Sequence, residues 1–301
     1  MSVPSRRPKT PAAKAAKPID ATGELYQRRA FEAVPILVRQ ARAACPIYYS
    51  DIARELGMPN PRNMDHVLGS IGNSLRRIGT LWNRQIPPVQ ALVINKHTKL
   101  PGAGFAEFAP NAADFRKAPR RIKREIVDSL LAQIYAYPDW DDVLDALAVS
   151  PAEPFDLERS IPSSARRAFG SGGESADHRE FKEFVAAHPQ NAGLIRRRWT
   201  SQVEYCFPSG DTVDVVFTAA NECVAVEVKA RISGDADLLR GLFQCVKYQA
   251  LLDSCDAVEQ RRRNTRTVYV LEGRLPPALR RVANTLGVTV VENARSSPKT
   301  P

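Results

Sequence analysis

Hydrophobic and polar residues alternate with a helical period through the N-terminal half of the chain. Apolar side chains recur every three or four positions from residue 26, Pro46 breaks this pattern, and a short helix is expected at 52–56; a further helix is expected to begin at residue 63 and to continue through residue 75. A short apolar run at 89–94 follows two prolines and predicts a strand. Residues 115–137 and 140–147 return to the helical period. This half of the chain is therefore expected to be mostly helical.

The C-terminal half has a different pattern, in which strand-like runs alternate with amphipathic helices. Its predicted helices are 174–187, 235–252 and 276–286, and its predicted strands are 201–207, 212–218, 222–230, 267–271 and 288–291. The first three strands follow one another through short turns, so we expect them to pair in antiparallel fashion. The element order predicts an α/β fold, with a mixed sheet flanked by helices.

The division into domains follows from length and from proline content. A chain of 301 residues is long enough for two modest domains. Residues 150–164 contain three prolines and predict a linker. We expect a disordered basic tail at 1–23, a helical domain at 24–112, a helical connector and linker at 113–164, the α/β domain at 165–295 and a tail at 296–301.

The helical domain has the element order of a winged-helix DNA-binding domain, with three helices followed by a strand-bearing wing. The longer helix that begins near residue 63 would then face a groove of DNA. The residues predicted to contact nucleic acid there are Arg62, Asn63, Arg76 and Arg77. A helical interaction module with no nucleic-acid role fits the same pattern equally well.

The charge of the chain favours a polyanionic partner. Its formal net charge is +10 and its isoelectric point is near 9.6. Because lysines and arginines that contact phosphates release counterions, this balance favours nucleic acid, and we expect DNA as the partner. No run approaches the ~20 apolar residues of a membrane span, so no membrane partner is expected.

Cysteine usage indicates the compartment. Five cysteines are scattered along the chain without a CxxC pair, and the four histidines are too dispersed for a metal cluster. The N-terminal residues lack the apolar segment of a secretory signal. Both features favour a reducing environment, and the sequence predicts a cytoplasmic protein.

Three charged residues of the α/β half are predicted to meet on one face of a hairpin. If strands 212–218 and 222–230 fold about Ala220 and Asn221, Asp214 lies opposite Glu227, with Cβ atoms ~4.5–5.5 Å apart. Lys229 follows Glu227 by two positions, so the pleat returns it to the same face. Two carboxylates at this distance repel each other unless a cation lies between them.

Oxygen ligands of this kind suit Mg²⁺, for which Mn²⁺ can substitute. A metal held there would polarise a phosphate and activate water, while Lys229 would orient that water and offset developing charge. The alternative is a surface ion pair in which Lys229 bridges the two acids. Acids inside such apolar strands are rare without a function, and this favours a metal site built on Asp214 and Glu227.

The arrangement resembles the PD-(D/E)xK nuclease superfamily, whose signature is an acid, a hairpin and then (D/E)-x-K. Asp214 and the run Glu227-Val228-Lys229 occupy those positions, and Val213 replaces the leading proline. The resemblance covers residues 174–291. It implies a restriction-endonuclease-like fold and a metal-dependent DNA endonuclease, with the Val228 carbonyl as a further metal ligand. By analogy it implies a role in bacterial defence or restriction, and cleavage of both strands suggests a homodimer.

The helix after the third strand carries a second part of the resemblance. Gln244 and Tyr248 match the Q-x-x-x-Y motif of the RecB-like branch, where this stripe supports the active site and touches DNA. With Arg240 they lie four residues apart on one helix face, and Lys247 is a further predicted DNA contact. Tyr248 is alternatively an amphipathic core residue. The predicted buried face carries Leu239, Leu242, Phe243 and Val246.

The helix before the sheet donates another acid in this superfamily. Glu174 is the preferred candidate for a third metal ligand, followed by Asp177, and a helix-dipole role for Glu174 is equally good. His178 is expected either to orient a phosphate or to pack in the core. Glu204 is expected opposite Val215 and away from the site. A catalytically silent DNA-binding protein of the same fold and an RNA-cleaving nuclease are the alternative functions.

Overall fold

The computed structural model describes residues 17–153, 175–195 and 198–295. The chain divides into two compact units, Met1–Ala152 and Glu153–Pro301. Parts of the predicted tail and linker, both chain ends and Glu174 lie outside the described residues. Within those residues, no helix is both long and apolar enough to cross a membrane.

The first unit is helical, and most of its helices begin and end near the predicted positions. They are α1 (Leu25–Arg42), α2 (Tyr49–Glu55), α3 (Met64–Trp82), α4 (Ala112–Lys117), α5 (Arg120–Ala136) and α6 (Trp140–Ala146). Pro35 lies inside α1 without ending it. The predicted helix at 115–137 is two helices, because Pro119 takes an extended conformation and starts α5.

The predicted strand at 89–94 is mostly wrong. Val89–Leu92 forms a 3₁₀ turn, and only β2 (Val93–Ile94) is extended. It pairs in parallel with β1 (Ile47–Tyr48), which precedes α2. A wing is an antiparallel hairpin, so this parallel pair does not supply the wing expected from the sequence. A parallel pair results because the chain crosses over through α2 and α3 before returning.

The core of the first unit extends beyond the predicted domain boundary at residue 112. Phe115, Val127, Ile134 and Trp140, from the segment predicted as a connector, are buried in the same cluster as α1 and α3. At the other end, Ile19 packs against this cluster although it lies in the predicted tail. Apolar stripes on α4–α6 need a partner surface, and α1 and α3 provide it.

The second unit is a mixed α/β layer structure built on five strands. The strands are β3 (Thr200–Cys206), β4 (Thr212–Ala219), β5 (Glu222–Lys229), β6 (Asn264–Leu271) and β7 (Thr289–Val291), in that spatial order. The pairs β3–β4 and β4–β5 are antiparallel, whereas β5–β6 and β6–β7 are parallel. The helices are α7 (Ala176–Ala187), α8 (Asp235–Val258) and α9 (Pro277–Thr285).

Helices cover the sheet through separate apolar clusters. Phe181 and Val185 of α7 pack with Val215 and Val226 of the sheet. Leu242 of α8 belongs to a second apolar cluster, which also contains Tyr269 of β6 and Leu279 of α9. Because the central strands are covered in this way, a charged side chain inside them loses most of its contact with water, and its setting determines its chemistry.

Candidate active site

The candidate site lies where strands β4 and β5 separate at one end of the hairpin. The predicted register is confirmed, since Val215 pairs with Val226 and the same spacing continues to the turn. Continued by one residue toward the open end, it places Asp214 level with Glu227. The apolar alternation of the two strands fixed this register, because a slip of one residue would turn every side chain to the opposite face.

At this point the side chain of Asp214, and not a backbone carbonyl, accepts a hydrogen bond from the neighbouring strand. Its Oδ2 atom accepts a hydrogen bond of 2.8 Å from the Val228 backbone N–H. The regular pairing of the two strands ends at Val215 and Val226. The carboxylate is therefore fixed in the gap between the strands, with its second oxygen, Oδ1, available to other groups.

Glu227 and Lys229 form a close ion pair beside this carboxylate. The Lys229 Nζ atom lies 2.6 Å from the Glu227 Oε1 atom. The Glu227 side chain is 3% exposed and that of Lys229 is 14% exposed. Two carboxyl groups and one ammonium group thus share a nearly dry site.

The two carboxyl groups have opposite pKa shifts. Burial, together with the nearby charge of Asp214, raises the pKa of Glu227 to about 8 although Lys229 acts in the opposite direction. Burial also opposes ionisation of Asp214, but hydrogen bonds from His178 and the Val228 N–H outweigh it and lower its pKa. Burial and the neighbouring carboxylate thus both disfavour the ionised form of Glu227, and a bound cation would offset both effects.

His178 approaches the same acid from α7. Its Nε2 atom lies 3.4 Å from Asp214 Oδ1, and its side chain is mostly buried. Ser175 caps the helix by accepting a hydrogen bond from the His178 backbone N–H, which fixes the first turn. Of the two interpretations offered by the sequence, the contact with Asp214 favours a role at the site over core packing alone.

Tyr248 and Gln244 support the strand that carries Asp214. The Tyr248 hydroxyl donates a 2.7 Å hydrogen bond to the Thr212 carbonyl, two residues before Asp214. Gln244 Nε2 donates to the same hydroxyl at 3.3 Å, and its buried Oε1 atom has no hydrogen-bond partner among the described residues. Because Tyr248 is buried and its hydroxyl is bonded to the backbone of β4, we expect this residue to orient β4.

The predicted buried face of α8 is partly wrong. Leu239 and Leu242 are buried as expected, but Phe243 is 42% exposed and Val246 is 40% exposed. The other buried positions of this helix are Leu238, Gly241, Cys245, Tyr248, Leu252 and Asp256. Apolar residues occur on every side of this helix, so their spacing alone does not define a face.

Glu204 was placed wrongly by the sequence, and Lys182 was missed. Val203 pairs with Val215 and Tyr205 with Val213, so Glu204 is level with Asp214 and not with Val215. The turn is one residue shorter than expected because Gly210, at φ 85°, closes a loop of three residues.

Lys182 is the partner of Glu204. Its buried Nζ atom donates a 2.7 Å hydrogen bond to Glu204 Oε1. Glu204 itself has φ 53° inside a strand, an unfavourable conformation for a residue with a side chain. The sequence shows only a lysine beside the apolar positions Phe181 and Val185, and its burial against the sheet follows from the packing of α7.

The third metal ligand cannot be assigned from the described residues. Glu174 lies outside them, and Asp177 is exposed on the first turn of α7. In the part of the chain that the structure describes, no group of three or more acids, histidines and cysteines is positioned to hold a metal ion. The donors present are the two carboxylates, Asp214 and Glu227.

The predicted nucleic-acid contacts of the second unit are both ion-paired. Lys247 Nζ lies 2.7 Å from Asp211 Oδ1, and Arg240 contacts Asp237 at 3.4 Å. Both lie on α8, which also carries Gln244 and Tyr248. They are partly exposed, and each would have to exchange or share its acid to bind a phosphate.

The predicted contacts of the first unit do not form one cluster. Arg62 and Asn63 are exposed at the start of α3, whereas Arg76 and Arg77 lie about 20 Å farther along it, at 1.5 Å per residue. Arg76 donates to the Glu107 carbonyl, and its guanidinium lies 4.4 Å from the centre of the Phe108 ring.

Comparison of the chain with protein-family models, with functionally characterised proteins and with solved structures gives no match. Inference about function therefore depends on the geometry and chemistry of the site itself.

Proposed function

We propose that this chain is a metal-dependent endonuclease that hydrolyses phosphodiester bonds in DNA, with Mg²⁺ as its cofactor. The observation that carries the proposal is the meeting of Asp214, Glu227 and Lys229 where β4 and β5 separate. The α7–β3–β4–β5–α8–β6 order and the supporting Tyr248 agree with the resemblance to PD-(D/E)xK nucleases, and with a restriction-endonuclease-like fold.

The residues present fit a hard divalent cation. Both donors are carboxylates, the ligand type that Mg²⁺ prefers. The pKa of Glu227 is raised by burial and then by the charge of Asp214, and a cation beside the two groups would favour the ionised form. Asp214 and Glu227 would hold the ion. When bound, it would supply Lewis-acid activation of the scissile phosphate and of the attacking water.

The protein groups have separate tasks in this proposal. The Val228 N–H and His178 each contact one oxygen of Asp214, so that the carboxylate keeps one orientation. Once Glu227 binds the cation, the Lys229 ammonium group is released to stabilise charge that develops on the phosphate oxygens. Tyr248 holds β4 in place, and the homodimer would supply a second site for the other strand of DNA.

A second candidate is a DNA-binding protein of the same fold that does not cleave. The observation that favours it is the direct 2.6 Å pair of Lys229 with Glu227, together with only two acids at the site among the described residues. An RNA-cleaving nuclease would use the same groups.

The test compares the wild type with Asp214→Asn and with Asp211→Asn, a matched control in the turn that precedes β4. Plasmid, linear duplex, single-stranded DNA and RNA are incubated with each protein in Mg²⁺ or EDTA. We expect Mg²⁺-dependent cleavage of DNA by the wild type and by Asp211→Asn, and none by Asp214→Asn. Unchanged cleavage by Asp214→Asn would refute the site, and cleavage of RNA alone would favour the RNA nuclease.

Thermal unfolding provides a readout that does not depend on activity. Mg²⁺ at about 100 times its Kd should stabilise the second unit by about 2.7 kcal/mol. This gain should disappear in Asp214→Asn and remain in Asp211→Asn. Stabilisation by Mg²⁺ and binding of DNA without cleavage would favour the non-cleaving candidate.

A further inference from the structure

Most of the net positive charge belongs to the first unit. Residues 1–152 contain 22 lysines and arginines against 14 aspartates and glutamates, which leaves +8 of the total +10. The site proposed above lies in the second unit. The first unit is therefore the stronger source of long-range attraction for a polyanion.

Most arginines with a defined contact in this unit are neutralised by a nearby acid. The pairs are Arg39–Glu55, Arg42–Asp141, Arg54–Asp51, Arg84–Asp139, Arg116–Glu107 and Arg121–Glu125. Such pairing is the ordinary arrangement of a solvated surface. Positive groups that lack an acid stand out against this background.

Arg120 and Arg124 are two such groups. Both donate to one neutral acceptor, the Thr98 carbonyl oxygen, at 3.1 and 2.9 Å. Within the described residues, neither guanidinium has an acidic partner in an ion pair. Like charges four residues apart on a helix repel each other, so this arrangement does not serve the stability of α5.

The loop that contains Thr98 adds three basic side chains. Asn95 Oδ1 accepts hydrogen bonds from the backbone N–H groups of His97 and Thr98, which fixes the turn. Lys96, His97 and Lys99 are exposed on it, and Lys99 lies 4.3 Å from the centre of the Tyr48 ring. The loop and α5 are joined by the Thr98 contacts. We name Lys96, His97, Lys99, Arg120 and Arg124 the α5 surface.

The start of α5 is also unusual in its charge. Its first turn contains no acid, although acids are favoured there by the helix dipole. Arg120 and Arg121 occupy the first two positions instead. Cations at the positive end of a helix oppose the stability of that helix, and a bound anion would compensate for them.

We propose that the α5 surface binds the phosphate backbone of the nucleic acid, in place of the α3 residues expected from the sequence. The planar guanidinium groups of Arg120 and Arg124 can each donate two parallel hydrogen bonds to a phosphate. Lys96 and Lys99 extend the positive surface on the far side of Thr98. This inference rests on the proposed function, because it assumes that the substrate is a nucleic acid.

The test measures binding of the full chain to a labelled DNA duplex in EDTA, over a series of salt concentrations. The double variant Lys96→Gln, Arg120→Gln removes two charges from the α5 surface. It keeps the hydrogen bond from Arg124 to the Thr98 carbonyl. Arg62→Gln with Arg77→Gln is the matched control, since it removes the same charge from exposed positions at α3. Thermal unfolding verifies that both variants are folded.

We expect the slope of the logarithm of the binding constant against the logarithm of salt concentration to become shallower by about 1.8 in the Lys96→Gln, Arg120→Gln variant, since each lost phosphate contact contributes about 0.9. The slope should stay unchanged in the control variant. An unchanged slope for the Lys96→Gln, Arg120→Gln variant, a loss confined to the control, or no binding by the wild type would overturn the inference. Equal binding of anionic lipid vesicles through the same two residues would also overturn it.

These outcomes separate the inference from the proposed function. Binding through the α5 surface without cleavage in Mg²⁺ would refute the nuclease and retain the surface. Cleavage that depends on Asp214, with binding through Arg62 and Arg77, would retain the nuclease and refute the surface.

Discussion

The two units bury polar groups in different ways. Among the described residues, the buried polar residues of the first unit are mostly neutral, namely Gln27, Gln40, Ser70, Ser74 and Gln90, and the paired side chain of Glu55 is the exception. Those of the second unit are mostly charged, namely Lys182, Glu227, Asp256 and Arg280, with neutral Asn284. Burying a charge is costly unless it is paired, so each of these groups requires a specific explanation.

Comparison of two glutamates shows what the difference means. Glu55 of the first unit, 4% exposed, receives two hydrogen bonds from Arg39, at 2.8 and 3.0 Å. Glu227 of the second unit, 3% exposed, has Lys229 as a partner but also faces Asp214. The first glutamate is compensated by its partner, whereas the second is held beside a like charge. An arrangement of the second kind is typical of a functional site.

Replacement of Lys229 and of Arg39, the cationic partners of the two glutamates, should give the largest difference in cleavage rate. Lys229→Met should lower the cleavage rate about 10²- to 10³-fold, because it removes positive charge from the developing transition state. Arg39→Met should destabilise the first unit and leave the cleavage rate of folded protein nearly unchanged. Rates measured at saturating Mg²⁺ test this, and an equal loss in both variants would contradict the comparison.

Replacement of the two glutamates should affect stability in opposite directions. Glu55→Gln breaks a charge-assisted pair and should cost about 1.5–3 kcal/mol. Glu227→Gln removes a repelling charge, so in EDTA above pH 8 the second unit should be at least as stable as in the wild type. Hydrogen exchange, followed by mass spectrometry, reports each unit separately. A clear loss of protection in Glu227→Gln would contradict the repulsion.

The stability of the second unit should depend on pH through Glu227. The pKa of this group is about 8 in the folded protein and near 4.5 in the unfolded chain, so between these values the folded state binds the extra proton. Stability in EDTA should therefore fall as pH rises from 4.5 to 8, and level off above 8. Asp214, whose pKa is lowered, acts in the opposite direction only below pH 3.8.

Glu227→Gln provides the control for this pH dependence. Thermal unfolding of that variant should lack the fall between pH 4.5 and 8, since the titrating group is gone. The first unit should show no corresponding change in either protein. A fall of the same size in Glu227→Gln would assign the pH dependence to another group.

Tyr248→Phe should have the smallest effect. It removes the hydrogen bond to the Thr212 carbonyl and should cost about 1 kcal/mol of stability. Cleavage should fall only a few-fold, because the hydroxyl orients β4 and does not touch the reacting groups in this proposal. A loss as complete as that of Asp214→Asn would instead place Tyr248 among the catalytic residues.

The sequence alone determined the mixed α/β class and the register of the β4–β5 hairpin. Strand side chains alternate with a period of two, and the short turn at Ala220 and Asn221 leaves one pairing that buries the apolar face. The level positions of Asp214 and Glu227 follow from this local rule. The order of helices and strands in the second unit also agrees with the prediction, because each element has its own local period.

Contacts between distant segments were decided only by the tertiary structure. His178 and Lys182 reach the sheet because α7 packs on it, and no local period encodes that contact. The buried face of α8 and the parallel β1–β2 pair depend on which surfaces meet across the fold. Periodicity indicates that a segment has an apolar side, but the choice of partner for that side is made by the packing of the whole unit.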